Sequence, residues 1–422
     1  MYALVDCNSF FCSVEKVFHP GLEGKPVVVL SCNDGIIVAL TPEAKAIGLH
    51  RGDRAFEVRE LMRKHGVEVF STNMTLYAAM SRRVTSILRQ SIAHVENYSI
   101  DESFCDLTGY SRYCDVVELM RELREKIRLW TDIPVSIGIA PTKTLAKMGS
   151  KYAKQYAGYR GVCLIDTESR RRRALELFDL ADVWGIGRKT CAALLRCGIR
   201  TPLEFADRSS SWVRAHFSIP TVRTWLELNG TPCIDTAEVL RNQTLCTSRS
   251  FGKMITDPDS LAASVASFAA SSANKLRAQR SSAALVTVFI GSNPFREDLQ
   301  QYGASASEPL PNPTSDTLEI TGAALKALKS IYREGISYKR AGVVLSGIVP
   351  DESVQADLFD PVRNRPERCL LMEEMDSINR RYGIKTLSLA AEGLRQQEWK
   401  PKCEHRSGNY LTDIDELLTI RI

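Results

Sequence analysis

The chain has no C-x-x-C pair and no cluster of cysteine with histidine, although it carries 12 cysteines and 6 histidines. That excludes a sulfur-bound zinc site and offers no spacing of the kind that marks an extracellular disulfide framework. Reduced thiols in the cytoplasm are the expectation. No apolar run approaches the roughly 18 residues of a membrane span and no amino-terminal leader is expected, so the reading is a soluble protein with no membrane partner. Charge of one sign is not abundant either: 55 basic against 50 acidic residues leave a formal charge of +5. So mild a balance allows a basic groove beside acidic faces without arguing for one. Nor is there an internal sequence repeat. At 422 residues the chain is too long for one core and implies about two to four domains.

What the chain does have is a concentration of carboxylates at two places. Asp101 and Glu102 stand side by side in Tyr98-Ser99-Ile100-Asp101-Glu102-Ser103-Phe104, and Asp6 closes the first apolar run, Tyr2-Ala3-Leu4-Val5. Both stretches read as strands, so three acids project from a sheet edge, where their repulsion is costly without a cation. Hard oxygen ligands suit Mg²⁺, which completes its shell with water and substrate phosphates and so points to phosphoryl chemistry on a nucleotide. Taken alone, Asp101-Glu102 reads better as an acidic turn at a hairpin tip.

Asn8 or Ser9 is placed to cap a helix carrying Phe11, Val14 and Val17. Strands over Val27 to Leu30 and Ile36 to Ala39 are joined by the turn Asn33-Asp34-Gly35. A helix near 74–91, strands near 95–100 and 103–107, a helix near 115–130 and the strand Val135 to Ile139 follow. With the first strand they give an α+β fold in βαββαβ, ferredoxin-like order, which sets Asp6 and the Asp101-Glu102 turn at neighbouring strand ends. Residues 161–240 turn helical and basic, and a second βαββαβ order runs from about 245 to 347. After Pro350 a polar, proline-marked tether leads to a small module near 367–391.

Gly185-Ile186-Gly187, followed by Arg188 and Lys189, has the form of a helix-hairpin-helix, whose exposed N–H groups suit a DNA phosphate. Lys143, Lys147, Lys151 and Lys154 recur near helical spacing, and Lys143 and Lys151 read as solvated. Arg170 to Arg173 fits a phosphate backbone or a solvated surface equally well. In the tether, Gln355-Ala356-Asp357-Leu358-Phe359 has the make-up of a linear peptide that docks by its Leu-Phe pair, or folds back on its own domain.

Together and in this order, these segments resemble the Y-family of translesion DNA polymerases, most closely its UmuC type. The resemblance runs through essentially the whole chain and rests on Asp6-Cys7-Asn8-Ser9-Phe10-Phe11, Tyr98-Ser99-Ile100-Asp101-Glu102, Gly138-Ile139-Ala140-Pro141-Thr142-Lys143-Thr144-Leu145-Ala146-Lys147 and Val183-Trp184-Gly185-Ile186-Gly187. It implies a palm over 1–25 and 71–165, a small fingers insertion over 26–70 and a helix-hairpin-helix thumb over 166–240. A βαββαβ little finger over 241–350 and a clamp-binding tether with C-terminal module over 351–422 complete the implied architecture. It removes the acidic-turn reading.

Residue by residue, the resemblance implies Asp6, Asp101 and Glu102 as catalytic metal ligands for two Mg²⁺ ions, with the carbonyl of Cys7 as a further oxygen. It places Phe10 and Phe11 at the deoxynucleotide, Phe11 as a steric gate against a 2′ hydroxyl. Lys154 and Lys45 match triphosphate contacts, although Lys45 stands where many relatives carry arginine and so lacks the bidentate fork. Pro42 stands where many members have a tyrosine, and Thr41 is the expected substitute donor. Gly185, Gly187, Arg188, Lys189 and Arg249 match DNA contacts; Gln355, Leu358 and Phe359 match a sliding-clamp peptide. The implied activity is template-directed, error-prone DNA synthesis past lesions in the SOS response, without proofreading. Primer-template DNA, deoxynucleoside triphosphates, the sliding clamp, a UmuD-type accessory dimer and a recombinase filament are the implied partners, and the implied location is the cytoplasm, at the nucleoid during synthesis. Two rivals remain: a non-catalytic DNA-binding factor tethered to the clamp, and a palm-fold nucleotidyl cyclase, for which the thumb and the clamp peptide would have no purpose.

Overall fold

In the computed structural model the first apolar run is β1 (Tyr2–Cys7), paired on both edges, with Ala3, Leu4 and Val5 all buried. The residues described are 1–235, 241–355, 360, 362, 364–393 and 399–419. They belong to two units, Met1–Val239 with Glu404–Ile422, and Leu240–Cys403.

In the first unit β1 leads into α1 (Phe10–Phe18) and then a small sheet. That sheet holds β2 (Val27–Leu30), β3 (Ile37–Leu40) and, after α2 (Pro42–Ala46) and α3 (Arg59–Lys64), β4 (Glu68–Ser71). Central β2 runs antiparallel to β3 and parallel to β4. The expected turn at Asn33 and Asp34 takes left-handed φ values of 68° and 50°, which short polar side chains tolerate. Four residues are too few to show a period, and β4 is not anticipated from the sequence.

The chain then returns through α4 (Met74–Arg89), β5 (Val95–Asn97), β6 (Glu102–Asp106), α5 (Val116–Thr131) and β7 (Val135–Ala140), followed by α6 (Lys143–Gln155) and β8 (Val162–Leu164). The sheet order is β5-β6-β1-β7-β8, with β1 antiparallel to β6 and β7. Its first four strands form the ferredoxin-like arrangement, and β8 adds a parallel edge on β7. Helix α6 lies close on β7 because both carry glycine at the crossing. A Cβ on Gly138 would stand 2.0 Å from the carbonyl oxygen of Ala146, and one on Gly149 3.1 Å from Gly138 Cα.

Helices α7 (Glu168–Leu177), α8 (Arg188–Arg196), α9 (Pro202–Ala206), α10 (Ser210–His216) and α11 (Ile219–Leu228) follow. The helix expected directly before Gly185 is only a single 3₁₀ turn, Leu180–Asp182.

The second unit holds β9 (Leu245–Ile255), α12 (Pro258–Ala278), β10 (Ser281–Gly291), β11 (Gly303–Thr314), α13 (Thr317–Ile331), β12 (Tyr338–Pro350) and α14 (Arg365–Tyr382). The βαββαβ order is the one read from the sequence, but the sheet order, β11-β10-β12-β9, puts the first strand at an edge, whereas the palm puts its first strand inside. The other edge, β11, carries Pro309, Pro311 and Pro313, which an edge strand accommodates. The stretch expected as one C-terminal module is divided. Arg277 on α12 pairs with Asp376 on α14 at 2.7 Å, and Trp399 packs on Phe268, while the residues from Glu404 onward belong to the first unit.

Because nothing at Gly138 yields except backbone, Gly138→Ala is expected to cost on the order of 3 kcal/mol or more. Chemical denaturation should show this loss, together with loss of whatever activity depends on α6; a stability within about 0.5 kcal/mol of the parent would contradict the close packing.

Candidate active site

Strand pairing brings the three acids together. Asp6 is in register with Glu102 across β1 and β6, and the Cys7 N–H donates to the Asp101 carbonyl at 2.9 Å. Ser99 shapes the turn: its hydroxyl donates to Asp101 Oδ1 at 2.5 Å and accepts from the Glu102 N–H at 3.1 Å. Burial pushes the Asp6 carboxyl up to about 6; Glu102 and Asp101 push the same way and Lys154 opposes them. Burial likewise raises the Cys7 thiol, leaving its sulfur a poor ligand.

Helix α6 supplies the counter-charge. Lys154 Nζ lies 3.7 Å from Asp6, Lys147 Nζ reaches both oxygens of Glu102 at 2.9 and 3.0 Å, Lys143 binds Glu96 at 2.7 Å, and Lys151 pairs with Asp182. The reading of Lys143 as solvated is corrected: it is 4% exposed, and a buried ammonium requires the partner it has in Glu96. Lys147 also sits 4.5 Å from the Tyr98 ring and 5.2 Å from that of Trp184, whose indole N–H donates to the Tyr98 hydroxyl at 3.1 Å.

A cavity of about 800 Å³ opens beside these groups and is lined by Asp6, Cys7, Asp101, Glu102, Phe10, Phe11, Lys45 and Lys154. Ser9, at the start of α1, has φ 45°, a left-handed strain costing on the order of 1–3 kcal/mol. Its hydroxyl donates to the Leu40 carbonyl at 3.0 Å rather than capping α1, so the cap expected at Asn8 or Ser9 is absent. Phe11 stacks on Tyr77 with centroids 4.5 Å apart and planes 16° from parallel.

Thr41 is corrected. It is 2% exposed, accepts from the N–H groups of Ala44 and Val27 as the cap of α2, and does not line the cavity. His50 and Arg51 do line it, and neither is anticipated from the sequence. The available signal was the basic Arg51-Gly52-Asp53-Arg54 turn, in the same insertion where Lys45 lacks a guanidinium fork.

Gly185 has φ 92°, and a Cβ there would meet Thr224 Oγ1 at 2.1 Å. Gly187 opens α8, where Arg188 and Lys189 are exposed. The four arginines of α7 each pair with a carboxylate, Asp166, Glu168, Asp207 and Glu176 in turn, which favours a surface network over a phosphate track. In the second unit, Arg249 is exposed on edge strand β9. Of the clamp peptide, Gln355 is described, while Leu358 and Phe359 lie outside the described residues.

The donor set of three carboxylates and a main-chain carbonyl suits a hard divalent cation. Among the described residues no three histidine, cysteine or acidic side chains already stand as a metal cluster; Ser99, Lys147 and Lys154 engage the acids instead. Among the described residues no helix is long and apolar enough to cross a membrane.

The fold and this cavity define a polymerase-type palm with attached fingers and thumb. A Y-family DNA polymerase chimera of Dbh and Dpo4 superposes with a TM-score of 0.64 at 20% identity, over 83% of this chain and 99% of its own. Profiles of the impB/mucB/samB family match residues 5–151 and, for its C-terminal domain, 242–358, and a domain of unknown function matches 370–420. Protein UmuC of Salmonella typhimurium is 40% identical over 423 residues, 100% of both chains. Protein ImpB of the same species is 40% identical over 416 residues, 98% of this chain and 97% of its own. The chain belongs to the impB/mucB/samB (UmuC) family of Y-family polymerases.

Asp6 carries a testable electrostatic signature. Its folded value of about 6 lies above the ordinary 3.8, so its favourable contribution is complete below about pH 4 and is lost as pH rises through about 6. In chelator, Asp6→Asn is expected to be more stable than the parent by about 1–3 kcal/mol at pH 7.5, with the difference vanishing near pH 4. Millimolar divalent cation should reverse the order by stabilising only the parent; denaturation curves at the two pH values, with and without cation, measure both effects.

Proposed function

We propose that this cavity is the nucleotidyl-transfer site of a template-directed, error-prone DNA polymerase that carries out translesion synthesis after DNA damage. The observation that carries the reading is the convergence of Asp6, Asp101 and Glu102 at one end of the palm sheet, in one cavity with Phe11 and Lys154. Metal dependence is general in the family, and the ions proposed here are two Mg²⁺ held by Asp6, Asp101, Glu102 and the Cys7 carbonyl. When bound, they supply acidification of the primer 3′ hydroxyl and charge neutralisation of the triphosphate.

The chain's own groups do the positioning. Lys154 is drawn from Asp6 toward the triphosphate, Lys45 adds charge from the fingers, and Arg51 supplies the bidentate fork that Lys45 lacks. Phe10 supports the pocket from the core, and Phe11 presents a ring where a 2′ hydroxyl would collide. Gly185, Gly187, Arg188 and Lys189 bind the phosphates of primer-template DNA at the start of α8, and Arg249 follows the backbone from the second unit. Gln355, Leu358 and Phe359 are proposed to dock on the sliding clamp, and a UmuD-type accessory dimer and a recombinase filament to act as further partners. Synthesis is placed in the cytoplasm, at the nucleoid.

Primer extension on undamaged and abasic templates, with Mg²⁺, clamp and accessory dimer, tests the assignment. Asp101→Ala should lower extension by about 10³-fold or more while leaving primer-template binding intact. Extension unchanged in Asp101→Ala would remove the assignment, and no extension by the parent would favour the non-catalytic clamp-tethered factor. In the same assay Phe11→Ala should relax discrimination against ribonucleotides by about tenfold or more, and Lys154→Ala should raise KM for nucleotide more than it lowers kcat.

A further inference from the structure

Glu15 is fully buried in α1, yet neither the metal site nor the core requires a carboxylate there. Its Oε1 accepts two hydrogen bonds, from the Tyr77 hydroxyl at 2.6 Å and from the Ser407 hydroxyl at 2.9 Å. Burial raises the Glu15 pKa, and those two donors oppose the rise. Tyr77, also fully buried, carries on its ring face the Phe11 ring of the nucleotide cavity. Ser407, 392 positions from Glu15 in sequence, therefore stands three contacts from Phe11, through Glu15 and Tyr77.

The segment around Ser407 is seated by more than one bond. The His405 carbonyl accepts from the Ser71 N–H at 2.9 Å and its N–H donates to Ser71 Oγ at 3.0 Å, so the tail pairs with the last residue of edge strand β4. The Asn73 amide donates to the carbonyls of Ser407 and Gly408 at 2.9 and 3.2 Å, and the Glu404 N–H donates to Asp34 at 2.9 Å. Tyr410 packs on Phe18 with centroids 5.1 Å apart. Covering an edge strand accounts for the backbone pairing. It does not account for a hydroxyl aimed at a buried carboxyl group, a hydrogen bond that fixes the orientation of both groups.

We propose that the carboxy-terminal segment from Glu404 to Tyr410 is a positioning element of the sugar pocket: Ser407 holds Glu15, Glu15 holds the Tyr77 hydroxyl, and Tyr77 backs the Phe11 ring. The proposal rests on the reading of Phe11 as the gate. It gives the end of the segment matched to a domain of unknown function a role in choosing deoxyribose over ribose.

The test is single-nucleotide insertion by the full-length protein with clamp and accessory dimer, comparing deoxy- and ribonucleotide, alongside melting temperatures. Ser407→Ala and Tyr77→Phe are each expected to reduce discrimination by about three- to tenfold. The loss should be mainly a raised KM for the deoxynucleotide, with melting within about 2 °C of the parent. Ser407→Thr, which keeps a hydroxyl, should retain the parent's discrimination. Tyr77→Phe keeps the ring and removes only its bond to Glu15, so it tests the chain of contacts even if the tail variant folds poorly. Unchanged discrimination in both variants, with Phe11→Ala relaxed, overturns the positioning role and leaves the gate standing. Unchanged discrimination in Phe11→Ala overturns the gate and the proposal with it.

Discussion

Repulsion among Asp6, Asp101 and Glu102 is the constraint around which the first unit is arranged. Antiparallel pairing forces Asp6 and Glu102 into register, and the turn held by Ser99 adds Asp101 beside them. Like charges gathered this way need opposite charge at short range, which α6 brings in Lys147 and Lys154. The helix approaches closely enough only because Gly138 and Gly149 face one another across it. Two glycines without chemistry of their own thus govern the electrostatics of the site, and Asp6, half-neutralised near pH 6, remains the strained member.

The lysine partners Lys147 and Lys154 offset the carboxylate charge from α6. Each ammonium is a mobile point charge on a flexible stem, able to leave a carboxylate when a stronger partner arrives. Lys143 differs: enclosed against Glu96, it stiffens the start of α6. Four lysines at one spacing therefore fall into two kinds, divided by burial.

At the start of α1, next to the left-handed Ser9, Phe10 is buried and Phe11 half-buried, and both line the cavity. Phe11 rests on Tyr77, which rests through Glu15 on the carboxy-terminal tail. The tail and the insertion over β2 to β4 share Asp34 and Ser71, which join them in one hydrogen-bonded seam.

Local pattern was enough for much of this. The apolar runs and their turns gave both βαββαβ orders, and with them the placing of Asp6 and the Asp101-Glu102 turn at neighbouring strand ends. Those signals are legible because strand burial and acid placement are written in adjacent residues. Beyond their reach lay whatever depends on partners distant in sequence. Thr41 is a helix cap rather than a ligand because Ala44 and Val27 point N–H groups at it. Arg51 enters the cavity only through the path of the insertion. The second sheet places its first strand at an edge although its element order repeats that of the palm. Composition and motif determined what chemistry the chain can perform; tertiary structure alone decided which side chains meet, because a contact such as Ser407 with Glu15 exists only after chain separated by hundreds of residues has been packed together.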